Sequence, residues 1–272
     1  MSFDFARAQS PLRICLLVTA AVALAGCARD RAETTGTISP RVAASGPADN
    51  QARIEQIGEQ FRKNPTDPNL AIAYAQALRH NGQQAQAAAV LQQASIRHPK
   101  NQAVLGAYGR ALADNGQYQQ ALDVLARAHT PDRPDWRILN AQGTVLDQMN
   151  RHAEARRYYN TALKIAPDEP SVLSNLGLSY LLTKDLAKAE ATLRQAAARP
   201  NADPKVRQNL ALVLGLEGKY TEAEKIAADD LPRNQAEANI AELRAMVAQR
   251  KQQDDQQNTW QKLKAQKTAS NG

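Results

Sequence analysis

The sequence predicts an all-α solenoid, a right-handed superhelix of about five helical hairpins with a capping helix at each end. Three observations predict it. Small residues recur every 34 positions from residue 68 to residue 237 without a register slip. The composition is rich in Ala and Gln and poor in aromatics (4%), and such residues lose little freedom in a helix. Prolines mark several unit boundaries: Pro68, Pro170 and Pro204 open units, and Pro99 and Pro167 close them.

The five units are 68–101, 102–135, 136–169, 170–203 and 204–237. Position 8 of each is small: Ala75, Gly109, Gly143, Gly177 and Ala211. Position 20 is always alanine: Ala87, Ala121, Ala155, Ala189 and Ala223. These two places let the two helices of a hairpin, A and B, cross closely, where a larger side chain would hold them apart. Position 27 is Ala94, Ala128, Ala162 and Ala196, then Asp230. It is expected to face helix A of the following unit, with the rule relaxing at the end. Position 15 is Gly82, Gly116, Asn150, Lys184 and Gly218. Gly and Asn suit a left-handed turn, so at Lys184 a differently shaped or mildly strained turn is expected. Large residues fill positions 7 and 11, among them Tyr108, Leu176, Leu78 and Leu146. This is the tetratricopeptide pattern, a hairpin of two helices per 34 residues.

Solenoid ends need half-polar covers. Residues 49–67, with Ile54, Ile57 and Phe61, read as an N-terminal capping helix, and residues 238–250, with Ile240, Leu243 and Met246, as its C-terminal counterpart. Residues 251–272 are rich in Gln, Lys and Asp and are expected to be a disordered polar tail in which Trp260 and Leu263 could dock.

The N-terminus reads as an address. Arg7 and Arg13 precede the apolar run Ile14–Ala23, which is shorter than the roughly 20 residues a spanning helix needs. It ends in Leu24-Ala25-Gly26-Cys27, the pattern of a bacterial lipoprotein signal. Residues 1–26 are then a signal peptide, and Cys27 is the acylated first residue that anchors the chain in a lipid bilayer. Ala28 follows, where Asp commonly retains a lipoprotein on the inner membrane, so the expected location is the periplasmic face of the outer membrane. Residues 27–48 lack an apolar period and read as a flexible tether.

The formal net charge is +7, from 34 Lys and Arg against 27 Asp and Glu. The basic residues are spread through every helix with acids among them, which argues against nucleic-acid binding. The two cysteines, Cys15 and Cys27, both lie near the N-terminus, which leaves no disulfide or Cys-based metal site in the repeats. His80, His98, His129 and His152 have no metal-ligand spacing. No Gly-rich phosphate loop and no nucleophile beside a base is present. The sequence therefore predicts neither catalysis nor a cofactor.

The working surface of such a solenoid is its inner face, lined by helix A at positions 2, 5, 9, 12 and 13. Units one to three supply mostly polar residues there, among them Arg79, Arg110, Asp114, Arg137, Asn140, Thr144 and Asp147. Units four and five supply Leu178, Leu181, Leu182, Leu212 and Leu216, together with Ser174 and Gln208. Arg110, Asn140 and the five leucines are the expected partner-binding residues, with an apolar or amphipathic segment as the occupant. The competing expectation is that the C-terminal cap or the Trp260 tail covers the leucines.

Four segments carry a further resemblance. Residues 107–129 (AYGRALADNGQYQQALDVLARAH), 130–147 (TPDRPDWRILNAQGTVLD), 170–180 (PSVLSNLGLSY) and 206–232 (VRQNLALVLGLEGKYTEAEKIAADDLP) resemble the TadD-type lipoprotein of the tight-adherence (Tad, or Flp pilus) assembly system. The Asp132-Arg133-Pro134-Asp135-Trp136 connector is the most particular part, and the likeness spans roughly residues 68–250. The resemblance implies an outer-membrane lipoprotein that assists pilus assembly as a pilotin-like partner of the secretin. It carries over no catalytic residue, only Cys27. The alternatives are an adaptor for a peptidase or peptidoglycan enzyme and an envelope scaffold for polysaccharide export.

Overall fold

Each predicted unit begins with a helix at the predicted residue. Five A helices start at Pro68, Gln102, Trp136, Pro170 and Pro204, and each is 13 residues long. The computed structural model describes residues 47–130 and 132–270, and the side chains of 50–130 and 132–261. All of these belong to one compact unit, Ser45–Gly272. The expected signal peptide, Cys27 and the tether as far as residue 46 lie outside the described residues.

In chain order the helices are α1 (Pro47–Lys63), α2 (Pro68–His80), α3 (Gln84–Arg97), α4 (Gln102–Asp114), α5 (Tyr118–Ala126) and α6 (Trp136–Gln148). They continue as α7 (His152–Ile165), α8 (Pro170–Leu182), α9 (Leu186–Ala197), α10 (Pro204–Leu216), α11 (Tyr220–Ala228) and α12 (Arg233–Ser270). The even-numbered helices α2 to α10 are the A helices, and α3 to α11 are their B partners. Each helix packs on the next in chain order, and successive A helices also touch. That is the contact pattern of a stack of hairpins.

The start of every A helix is fixed by a side chain. Asp67, Asn101, Asp135, Glu169 and Asp203 each accept a hydrogen bond from the backbone N–H two residues on. These are N-caps, and at α2, α8 and α10 a proline follows at the first helical position, where its missing N–H costs nothing. The end of every A helix is equally uniform. The position-15 residues Gly82, Gly116, Asn150, Lys184 and Gly218 all have φ between 60° and 82°. The N–H after each bonds back to the position-11 carbonyl, for example Gln83 to Leu78 (2.9 Å) and Asp185 to Tyr180 (3.0 Å). Lys184 therefore adopts the common turn and carries its steric cost, about 1 kcal/mol.

The hairpin crossing follows the small positions. The five alanines at position 20 are fully buried. A Cβ on Gly109 would stand 2.5 Å from Leu125 Cγ, on Gly143 2.5 Å from Tyr159 Cε1, and on Gly177 2.7 Å from Leu193 Cγ. The large residue in each case is position 24 of helix B. At position 27, Ala94 clusters with Val104, Ala162 with Val172 and Ala196 with Val206, each valine on the next A helix. Asp230, where the rule was expected to relax, is ion-paired with Arg207, its Oδ2 accepting from Arg207 Nε at 2.7 Å.

Both ends differ from expectation in extent. The N-terminal cap α1 starts at Pro47 and ends at Lys63, with Ile54 buried and Phe61 stacked on Tyr74 at 5.6 Å. At the other end the cap begins at Arg233 and runs unbroken to Ser270, so residues 251–270, expected to be disordered, are helical. The polar composition suggested disorder, but no Gly or Pro occurs between Arg233 and Ser270, and Ala, Gln, Lys and Arg are strong helix formers. Ala236, Ile240 and Leu243 bury the first turns against the repeats, while residues 251–261 are exposed throughout.

Candidate binding groove

The inner-face residues fall into two cavities and a clamp. The first cavity, about 190 Å³, is lined by α2, α4 and α6 through Arg79, Arg110, Asp114, Arg137, Asn140 and Thr144, with apolar walls from Ala113, Ala141 and Val145. Arg79 donates to Asp114 across one repeat. Arg137 lies over the Trp136 ring, 4.5 Å from its centroid, and its nearest carboxylate is Asp135 at 4.0 Å. Arg110 is half-buried and makes no ion pair or hydrogen bond among the described residues. Burial lowers its guanidinium below the ordinary arginine range, and the neighbouring Arg79 and Arg137 charges push the same way against Asp135 and Asp114.

The second cavity, about 370 Å³, lies at the far end between α10 and α12. Leu212, Leu231, Leu243 and Met246 supply its apolar wall and Gln208 and Asn239 its polar rim. The cap neither covers the leucines wholly nor leaves them alone. Leu243 seats over Gly215, where a Cβ would collide with it, whereas Leu212 stays 37% and Met246 54% exposed. Leu182, on the neighbouring A helix, is 56% exposed.

Of the seven residues the sequence singled out for the groove, Arg110 and Asn140 share the first cavity and Leu212 belongs to the second. Leu182 is an open surface residue, while Leu178, Leu181 and Leu216 are half-buried and line neither cavity. Leu181 packs against the cluster containing Leu210 and Leu214. The leucine face is therefore narrower than expected, because half of each side chain serves the contact between successive A helices. Polar residues make that contact too. Asn175 Nδ2 donates to Asn140 Oδ1 at 3.0 Å, and Asn209 Nδ2 to Ser174 Oγ at 3.1 Å.

Asp147 was expected to line the groove and is instead buried as a clamp. Its Oδ1 accepts from Ser179 Oγ (2.9 Å) and His152 Nδ1 (2.8 Å), and its Oδ2 from Tyr159 OH (2.9 Å). Burial pushes the Tyr159 phenol well above its ordinary range, so it stays a neutral donor. No periodic signal marks this cluster, because Ser, Tyr and His occupy these places only at the junction of units three and four. The N-caps, by contrast, were visible as Asp, Asn or Glu every 34 residues before each A helix.

Among the described residues no group of three or more His, Cys, Asp or Glu side chains is placed to hold a metal ion, and no described helix is long and apolar enough to cross a membrane. Residues 140–204 match the family model described as tetratricopeptide repeat. The fold is a tetratricopeptide-repeat solenoid. Residues 54–128 match a second model, anaphase-promoting complex, cyclosome, subunit 3. The tetratricopeptide chain is similar to the crystal structure of the APC/C hetero-tetramer Cut9-Hcn1, with TM-score 0.59 and 15% identity over 75% of this chain. It spans 40% of that longer chain. It is also similar to the structure titled Functional Characterization of Pseudomonas Aeruginosa pilF, with TM-score 0.52 and 19% identity over 75% of this chain and 91% of that one. A third is the human IFIT1 dimer with PPP-AAAA, at TM-score 0.54 and 15% identity over 66% and 46% of the two chains. Identities this low speak to the fold alone. Comparison with curated proteins gives no match. A tetratricopeptide solenoid is a protein–protein interaction fold, and its A-helix face is the surface on which partners are read.

Proposed function

We propose that this protein is a non-enzymatic adaptor of Flp pilus assembly, an outer-membrane lipoprotein anchored through acylated Cys27, with a pilotin-like role in localising or multimerising the secretin. The adaptor part rests on the A-helix face, whose two cavities differ in chemistry, one cationic and one apolar. An amphipathic polypeptide segment suits such a pair of sites. The observation that carries the pilus part is the likeness of the repeats to the TadD-type lipoprotein, above all in Asp132-Arg133-Pro134-Asp135-Trp136. The Leu24-Ala25-Gly26-Cys27 tetrapeptide supports the anchor.

The decisive experiment deletes the gene and assays secretin multimers in the outer membrane together with surface pili. Loss of both is the expected result, rescued by the wild-type chain and not by Cys27→Ser. Intact pili with altered cell-wall enzyme levels would replace this reading with an adaptor for a peptidoglycan enzyme, the second reading that the fold accommodates.

A further inference from the structure

The cavity around Arg110 collects hydrogen-bond donors and lacks the acceptor that would answer them. Asp114, the one carboxylate that lines it, is taken by Arg79. Asn140 has its oxygen engaged by Asn175 and presents its amide nitrogen. Thr144 gives its hydroxyl proton to the Asn140 carbonyl at 3.0 Å. Arg137 keeps two-thirds of its side chain in water (66%). Arg110 sits between these helices with five donor N–H groups, a charge withdrawn from solvent and no partner among the described residues. A buried charge without a partner is costly, and proteins rarely keep one unless something arrives to pair with it.

We propose that this cavity takes a carboxylate from an acidic side chain, Asp or Glu, of the polypeptide segment bound along the A-helix face. The guanidinium fork matches the two oxygens of a carboxylate. One desolvated cation is balanced by one carboxylate, and about 190 Å³ leaves room for a side-chain headgroup while excluding a folded domain. The occupant is a polypeptide because the same face continues to the apolar cavity at Leu212, which an isolated anion would leave unused. The acidic residue would set the register of the segment, and the apolar cavity would add area.

This inference rests on the A-helix face being a peptide groove and not on the role in pili. The test is accordingly made on the purified chain. The protein, labelled with ¹⁵N, is titrated with an N-acetylated, C-amidated oligoglutamate, with the matching oligoglutamine, and with inorganic phosphate, while the arginine Nε–Hε resonances are followed. The expected result is a saturable shift of the Arg110 resonance with oligoglutamate alone. Arg110→Met should weaken that binding about tenfold or more. It should leave the helical content intact and the thermal midpoint no lower, since an unpaired cation has been removed. Arg110→Lys, which keeps the charge and loses the fork, should fall between. Equal binding of oligoglutamine, an Arg110 shift produced equally by phosphate, or undiminished oligoglutamate binding by Arg110→Met would each overturn the proposal. The first two are read on the unmodified protein, so they stand even if a variant fails to fold.

Discussion

Replacing Asp147 with alanine tests the idea that an acid on the inner face can be a structural clamp. The carboxylate receives three hydrogen bonds, from Ser179, His152 and Tyr159, at 2.8–2.9 Å. Ser179 and Tyr159 are essentially inaccessible to water (0% and 1%), so in Asp147→Ala their hydroxyls lose a charged acceptor and find no replacement. Each orphaned buried donor costs about 1–3 kcal/mol. His152 is half-buried and can turn to water, so it adds little. Against this stands the desolvation cost of the carboxylate, which the variant no longer bears. The balance is a loss of about 3–5 kcal/mol, the usual result of removing one partner from a buried charged network. Because Asp147 and Ser179 belong to successive units, the loss falls on the junction of units three and four. Repeat arrays are held by such nearest-neighbour terms. Urea unfolding followed by circular dichroism should therefore show a lower midpoint and a shallower or split transition. A single transition within about 1 kcal/mol of wild type would refute the reasoning. In a cycle with Ser179→Ala the two changes should couple by about 1–2 kcal/mol.

Gly143→Ala places a methyl group 2.5 Å from the Tyr159 ring, which the bond to Asp147 keeps from moving; a net loss of about 2 kcal/mol is expected after the gain in helix propensity, and a raised thermal midpoint would contradict it. Lys184→Gly, at φ 61° in a turn shared with three glycines, should stabilise by up to about 1 kcal/mol in the same assay. Leu182→Glu together with Leu212→Glu, at the two exposed leucines of the groove, should abolish partner capture from detergent extracts while leaving the unfolding curve unchanged; undiminished capture would remove the apolar site. The hydrogen bond from Lys219, with Arg194 adding, holds the Glu190 carboxyl at about 2 against burial. A carboxyl depressed in the folded state contributes stability above its unfolded value near 4.5 that is lost as pH falls toward 2. Glu190→Gln should flatten that acid limb of the midpoint-against-pH curve, and an unchanged slope would show that other groups carry it.

What the sequence disclosed is what repeats. The starts of the A helices, the small residues at the crossing and the left-handed turn are five times over the same problem in packing, so periodicity exposes them. Lys184 shows the limit of reading residue types: the turn is set by the bond from Asp185 to Tyr180 and by its neighbours, and it imposes φ on whatever residue sits there. The cluster of Asp147, Tyr159, Ser179 and His152 occurs once, and a single occurrence leaves no periodic trace. The leucines were read as a surface because position alone cannot say how much of a side chain the next helix takes. The helix beyond residue 250 was missed because composition was weighed above the absence of any residue that stops a helix.

The residue that caps each A helix is the last of the preceding 34, not the first of its own. An excision or duplication of 34 residues, wherever its ends fall within the array, rejoins a capping side chain to a helix that needs one and a left-handed turn to a hairpin that needs one. Such a chain can change its number of units by unequal crossing-over without first inventing a new joint. Its length is thus open to drift and selection in steps of one repeat, while the clamp at Asp147 and the charge at Arg110 mark the places where a cut would cost something particular.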